Sequence, residues 1–183
     1  VKPGNILLSR ADRPLLERPI KLGDFGVSKL VEAATLKAQT LAGTPHYFAP
    51  ELIASTGHTK ALDWWTLGVL VFELMSGHTP FQSTDPMRTY AKVRRGIEQV
   101  PFPPGCQGPA ADFVRQLLRQ DPCERLPMRA GGMRNLKSHK WFEGFDWEAM
   151  GRLALPAPYE PVVKSKRDLG NFCANSEDMP KIV

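Results

Sequence analysis

Apolar positions along the chain change character twice. At the start, Ile6-Leu7-Leu8 and Ile20-Lys21-Leu22 are short apolar runs separated by SRADRPLLERP, whose Pro14 and Pro19 mark a loop. Runs this short between breakers predict two strands. From Gly23 to Pro50 the chain is rich in glycine and threonine with weak periodicity. A loop of that length in a compact domain is usually functional or disordered. Beyond Lys60, LDWWTLGVLVFELMSG is apolar on nearly every side, which predicts a helix buried all round. Gly77 is its expected stop and Pro80 a breaker behind it.

The second half alternates helices with breakers. Residues 84–95 predict a short surface helix, and ADFVRQLLR at 111–119 an amphipathic one with Phe113, Val114, Leu117 and Leu118 inward. PCERLPMRAGGMRNLKSHKWF predicts one more short helix ending near Trp141. After Leu153, Pro156, Pro158 and Pro161 without apolar periodicity predict an extended tail that lies on other structure. No repeat is present. The expected fold is mainly α, with one small strand pair at the beginning.

Composition narrows the function. The chain has 183 residues, 42% hydrophobic and 23% charged, room for one globular domain with a real core. Its longest apolar stretch, 66–75, is too short to span a bilayer and contains Glu73. Three scattered cysteines, Cys106, Cys123 and Cys173, without CxxC spacing point to free thiols in a reducing, cytoplasmic setting rather than to a structural zinc. The net charge of +5 gathers in 94–95, 134–140 and 164–167. No stripe of cations interleaved with aromatics accompanies it, so a solvated basic surface is favoured over nucleic-acid binding.

Three short motifs carry the chemistry: K-P-G-N at 2–5, D-F-G at 24–26 and A-P-E at 49–51. Each alone is weak. Their order, followed by D-W-W at 63–65 and an arginine at 125, resembles the large, C-terminal lobe of a eukaryotic protein kinase across essentially the whole chain. The resemblance implies phosphate transfer from ATP with Mg²⁺ to serine or threonine of protein substrates. Such transfer rests on positioning and on neutralising phosphate charge, and Mg²⁺ wants hard oxygen ligands. Asp24 and Asn5 match the family's two metal-binding residues, and so bind the nucleotide through the metal. Lys2 matches the lysine that reaches the transferring phosphate. Thr44 matches the threonine that bonds that lysine in serine/threonine kinases. Glu51 and Arg125 resemble a buried structural ion pair, and Asp63 the aspartate that anchors the catalytic loop from a buried helix.

Finer features resemble the AGC-type branch, nearest in wording to the cyclic-GMP- and cyclic-AMP-dependent kinases. QTLAGTPHYFAPE places Thr40 four residues before Thr44, matching an activation-loop threonine that an upstream kinase phosphorylates, with Lys29 as a partner of the phosphate. KSHKWFEGFDWEAM, LPAPYEPVVKS and DLGNF resemble the branch's C-terminal extension, so 1–142 is expected as kinase domain and 143–183 as extension. Phe172 matches a phenylalanine that lies against adenine, although Cys173, Ala174 and Asn175 depart from the acidic and aromatic pattern after it. Leu41, Pro45 and Phe48 match an apolar pocket for the residue after the phosphoacceptor. Glu73 matches an acid that binds an upstream arginine, but Gly4 and His46 stand where two further acids are usual. The expectation is a residual preference for basic substrates.

The family pattern H-R-D-L-x-x-x-N puts the catalytic aspartate one position before Val1. The resemblance therefore implies a start inside the catalytic loop, with the small lobe, its own N-terminal partner, absent. Such a polypeptide is expected to be inactive alone and to expose apolar surface where that lobe docks. The competing reading is a pseudokinase-like module that binds proteins without catalysis; the intact pair Asn5 and Asp24 argues against it.

Overall fold

The computed structural model describes residues 1–8, 20–26, 28, 44–156 and 165. It is mainly helical. Strands β1 (Ile6–Leu8) and β2 (Ile20–Leu22) pair in one two-stranded sheet, where the apolar runs predicted them. The helices are α1 (Pro50–Ile53), α2 (Ala61–Ser76), α3 (Pro86–Arg95), α4 (Pro109–Leu117), α5 (Met133–Lys137) and α6 (Trp147–Gly151). Single 3₁₀ turns also occur, among them Pro3–Asn5 ahead of β1 and Pro45–Tyr47 ahead of α1. The chain divides into two units: Val1–Ile6 with Leu22–Phe145, and Leu7–Lys21 with Asp146–Val183.

The larger unit is organised around α2, which packs on α4. Gly68 permits the approach: a Cβ there would lie 2.9 Å from Leu118 Cδ2 and 3.0 Å from Leu117 Cβ. Trp65, Val69 and Phe72 are fully buried on this face. Trp65 stacks on Phe81 with ring centroids 5.6 Å apart, and Phe72 meets Phe102 edge-on at 5.4 Å. A second aromatic group forms around Phe113 of α4, with His139, Trp141 and Phe142 at 5.2, 4.8 and 5.3 Å. The fully buried rings among these, Trp65, Phe72, Phe81 and Phe113, each contribute about 1.5–3 kcal/mol of apolar burial.

Local chemistry sets the helix ends. α2 stops at Gly77, which takes φ 79° and donates its N–H to Glu73 O at 2.8 Å, a conformation glycine adopts without strain. α3 begins behind Asp85, whose carboxylate accepts from Met87 N at 2.9 Å, with Pro86 at the first position. Pro109 starts α4 two residues ahead of the expected Ala111, because proline's missing N–H costs nothing there.

Burial of α2 on all sides needs correction. Leu74 is 68% exposed, and Asp63 is exposed as well. Asp63 lies in the first turn, where solvent and the positive end of the helix dipole both accommodate a carboxylate. It therefore has no need of the buried donors that an interior aspartate would require, and no hydrogen bond to its carboxylate is present among the described residues. In the smaller unit, α6 is capped by Asp146, whose Oδ1 accepts from Glu148 N and Ala149 N at 3.0 and 2.8 Å. Phe172 and the rest of the expected tail beyond Pro156, Ser165 aside, lie outside the described residues.

Candidate active site

Two strand ends and two turns bring the predicted polar residues into pairs. The turn Pro3–Asn5 leads into β1, and Asn5 N donates to Lys2 O at 3.0 Å. Asn5 O in turn accepts from Gly23 N at 2.7 Å, just past β2. That backbone bond fixes Asn5 beside the residue after Gly23. Asn5 Nδ2 then donates to Asp24 Oδ2 at 3.3 Å. Asp24 is held at φ 58°, in the left-handed region that a non-glycine residue enters at a cost and that clusters at functional sites. Phe25, next to it, is 65% exposed, and Leu22 is exposed too.

Lys2 and Thr44 form the second pair. Thr44 precedes the turn Pro45–Tyr47 but makes no side-chain cap. Its hydroxyl instead accepts from Lys2 Nζ at 3.3 Å, across 42 residues of chain. Both side chains are half-buried, so the ammonium is steadied by a neutral oxygen and keeps donors for an anion.

Mg²⁺ fits this donor set. Because Asn5 gives its N–H to Asp24, its Oδ1 and the second carboxylate oxygen of Asp24 remain as hard oxygen donors. Mg²⁺ is characteristically held by one or two such groups, with phosphate oxygens and water completing its shell. Among the described residues no cluster of three or more His, Cys, Asp or Glu exists, and this chemistry does not call for one.

Glu73 is half-buried, and its carboxylate accepts from the Tyr47 phenol. Burial first, then the hydrogen bond and charge of Glu73, pushes that phenol well above the ordinary tyrosine value. Tyr47 was not foreseen, since nothing in its spacing from Glu73 announces a contact across 26 residues. Phe48 is buried and stacks on Tyr90 of α3 with centroids 6.1 Å apart, and Pro45 is half-buried beside it. Thr40, Leu41 and Lys29 lie outside the described residues.

Away from these pairs, Arg125 is fully buried and grips Glu51 with two bonds of 2.7 Å, Nη1 to Oε1 and Nη2 to Oε2. Its remaining donors reach Ala61 O at 2.8 Å and Arg119 O at 3.2 Å, and its guanidinium lies 5.2 Å from the Trp65 ring centroid. Another pair missed in the sequence joins His139 Nε2 to Asp112 Oδ2 at 2.9 Å. His139 Nδ1 lies 3.2 Å from Trp141 N. Burial pulls Asp112 upward, but hydrogen bonds from Gln116 and His139 and the charges of His139 and Arg115 outweigh it and hold the carboxyl below its usual value.

Comparison with known proteins places this arrangement. The profile of the family described as "Protein kinase domain" matches residues 1–142. The chain belongs to the protein kinase domain family. Among curated relatives, the cGMP-dependent protein kinase, isozyme 2 forms cD5/T2, of Drosophila melanogaster is 41% identical over 172 residues, 94% of this chain and 18% of its own length. The cGMP-dependent protein kinase 2 of Homo sapiens is 38% identical over 172 residues, again 94% of this chain and 22% of the relative. That of Mus musculus is 41% identical with the same coverage. The chain thus spans about a fifth of the length of the relatives it matches. Protein kinases as a family use ATP and Mg²⁺. No helix among the described residues is long and apolar enough to cross a membrane.

Proposed function

We propose that this chain supplies the large lobe, residues 1–142, and the C-terminal extension, residues 143–183, of an AGC-type serine/threonine kinase that moves the ATP γ-phosphate to protein substrates. The observation that carries the reading is the pairing of Asn5 with Asp24 beside that of Lys2 with Thr44. Asn5 and Asp24 would hold Mg²⁺, which when bound neutralises phosphate charge. Lys2 steadies the transferring group through an ammonium that Thr44 keeps in place. The sequence likeness to cGMP-dependent kinases supports serine/threonine specificity and the AGC branch.

Further parts of the reading rest on resemblance. Thr40 is the proposed target of an upstream kinase, with Lys29 as partner of the phosphate, and Phe172 the proposed adenine contact. Leu41, Pro45 and Phe48 form the proposed pocket for the residue after the phosphoacceptor. Glu73 is the acid for an upstream basic residue, and Tyr47 occupies part of its carboxylate. A cytoplasmic location accords with the thiols of Cys106 and Cys123, both free.

The 183 residues contain neither a G-x-G-x-x-G loop nor the H-R-D aspartate, so we expect no transfer from this polypeptide alone. Nucleotide binding tests the metal pair. Calorimetry with ADP is expected to show Mg²⁺-dependent affinity in a protein that also carries those upstream residues. Asn5→Ala and Asp24→Ala should each remove the Mg²⁺ dependence. Retention of it in both variants would remove Asn5 and Asp24 as the metal pair, and its absence from the parent would favour a protein-binding module without catalysis.

A further inference from the structure

Helix α3 carries four cations, Arg88, Lys92, Arg94 and Arg95, and no acid lies between Pro86 and Ile97. Arg88, Lys92 and Arg95 recur at i, i+4 and i+7, which places them on one face. All three are exposed, while Thr89 and Val93 take the buried side. Helix stability accounts for only part of the stripe: Lys92 and Arg95 stand in the last turn, where the negative end of the dipole favours cations. Like charges at i, i+4 oppose a helix, and Arg88, in the first turn, meets the positive end of the dipole. Its acidic neighbour, Asp85 at 3.8 Å, is itself exposed and already caps Met87. Lys92 spends one of its three N–H groups on Gln82 O at 2.6 Å. Arg95 has no ion-pair partner among the described residues.

The position of the stripe gives it a use. Tyr90 of the same helix stacks on Phe48, and α3 packs against the turn Pro45–Tyr47. The cations therefore lie one helix away from the residues assigned to the position after the phosphoacceptor. We propose that Arg88, Lys92 and Arg95 form a docking surface for an acidic segment of the protein substrate, downstream of its phosphorylated residue. The inference rests on the kinase reading above and adds a second substrate feature to it. A single-stranded nucleic acid fits less well, because it would call for exposed aromatics between the cations, and Tyr90 is half-buried against Phe48.

Fluorescence anisotropy on the 183-residue chain at low salt tests the surface with three labelled peptides. The first has serine, an apolar residue and a Glu/Asp run; the second replaces the acids with Gln/Asn; the third is the acidic run alone. Three exposed charge pairs should make the first bind about tenfold tighter than the second, with the gain fading as salt rises. The triple variant Arg88→Gln, Lys92→Gln, Arg95→Gln should erase the gain and leave the second peptide unaffected, with an unchanged circular dichroism spectrum. Arg88→Glu with Arg95→Glu should shift the preference to a lysine-tailed peptide. Equal binding of the first two peptides overturns the inference, as does wild-type binding by the triple variant. It is also overturned if the third peptide binds as well as the first, or if a single-stranded RNA binds tighter than either. Phosphate transfer to the second peptide, measured in a protein that carries the upstream residues, reads the kinase reading separately. Transfer without an acidic gain defeats the docking surface alone. Acidic binding with no transfer to any serine peptide shows that its occupant is not a substrate.

Discussion

Glu51–Arg125 and Asn5–Asp24 are both polar contacts between residues distant in the chain, yet they differ in every physical respect. The first is buried, bidentate at 2.7 Å, and has its spare donors used by Ala61 O and Arg119 O. The second joins a half-buried amide to an exposed carboxylate by one bond of 3.3 Å, with Asp24 in a costly backbone conformation. A saturated pair in a dry setting has nothing left to offer a ligand, so its effect falls on stability. An unsaturated pair in a wet setting adds little to stability and keeps lone pairs for a cation.

Arg125→Ala should show the contrast most strongly. It strands the Glu51 carboxylate and is expected to cost about 3–5 kcal/mol in urea unfolding. Replacing both partners with apolar residues of similar volume should recover most of that loss. A loss below about 1 kcal/mol for the single variant would place Glu51 in contact with water and dissolve the contrast. Gly68→Ala should cost less, about 1–3 kcal/mol from overpacking against Leu117 and Leu118, somewhat reduced by the better helix propensity of alanine. The thermal midpoint reports it.

At the polar site the expected stability effects are small or reversed. Asp24→Gly removes the left-handed strain, so its unfolding free energy should stay within about 0.5 kcal/mol of the parent or rise slightly. A large loss would mean that Asp24 is structural. The smallest effect belongs to Asp112. Its folded value is depressed, so its contribution is complete above the unfolded value of about 3.9 and declines as pH falls through the folded one. Asp112→Asn should flatten that acid limb of a stability-versus-pH curve, and a parallel curve would remove His139 as its partner.

How much was legible follows from the range of each signal. α2, α4 and the stop at Gly77 came from periodicity and a glycine, both local. α1, with four residues, is shorter than a period can reveal, and its Pro50 read as the end of a loop. α6, with five residues, is hardly longer, though Asp146 ahead of Glu148 and Ala149 is a capping signal that stands in the sequence. Motif order grouped Asn5, Asp24, Lys2 and Thr44 as one expected site, and the structure pairs Lys2 with Thr44 and Asn5 with Asp24. It did not reveal Tyr47 on Glu73 or His139 on Asp112, because those contacts are tertiary and their partners stand in unremarkable surroundings. The burial of α2 was overstated for a related reason: an apolar helix average hides that its first turn, with Asp63, meets solvent.

The most direct test of the central claim is phosphate transfer from ATP to a serine peptide, measured for the parent and for Asp24→Asn in a protein that carries these residues with a catalytic aspartate upstream. Losing the metal-binding charge should lower the rate by at least about 100-fold while the thermal midpoint stays put. Undiminished transfer by Asp24→Asn would contradict the assignment of Asn5 and Asp24 as the metal pair.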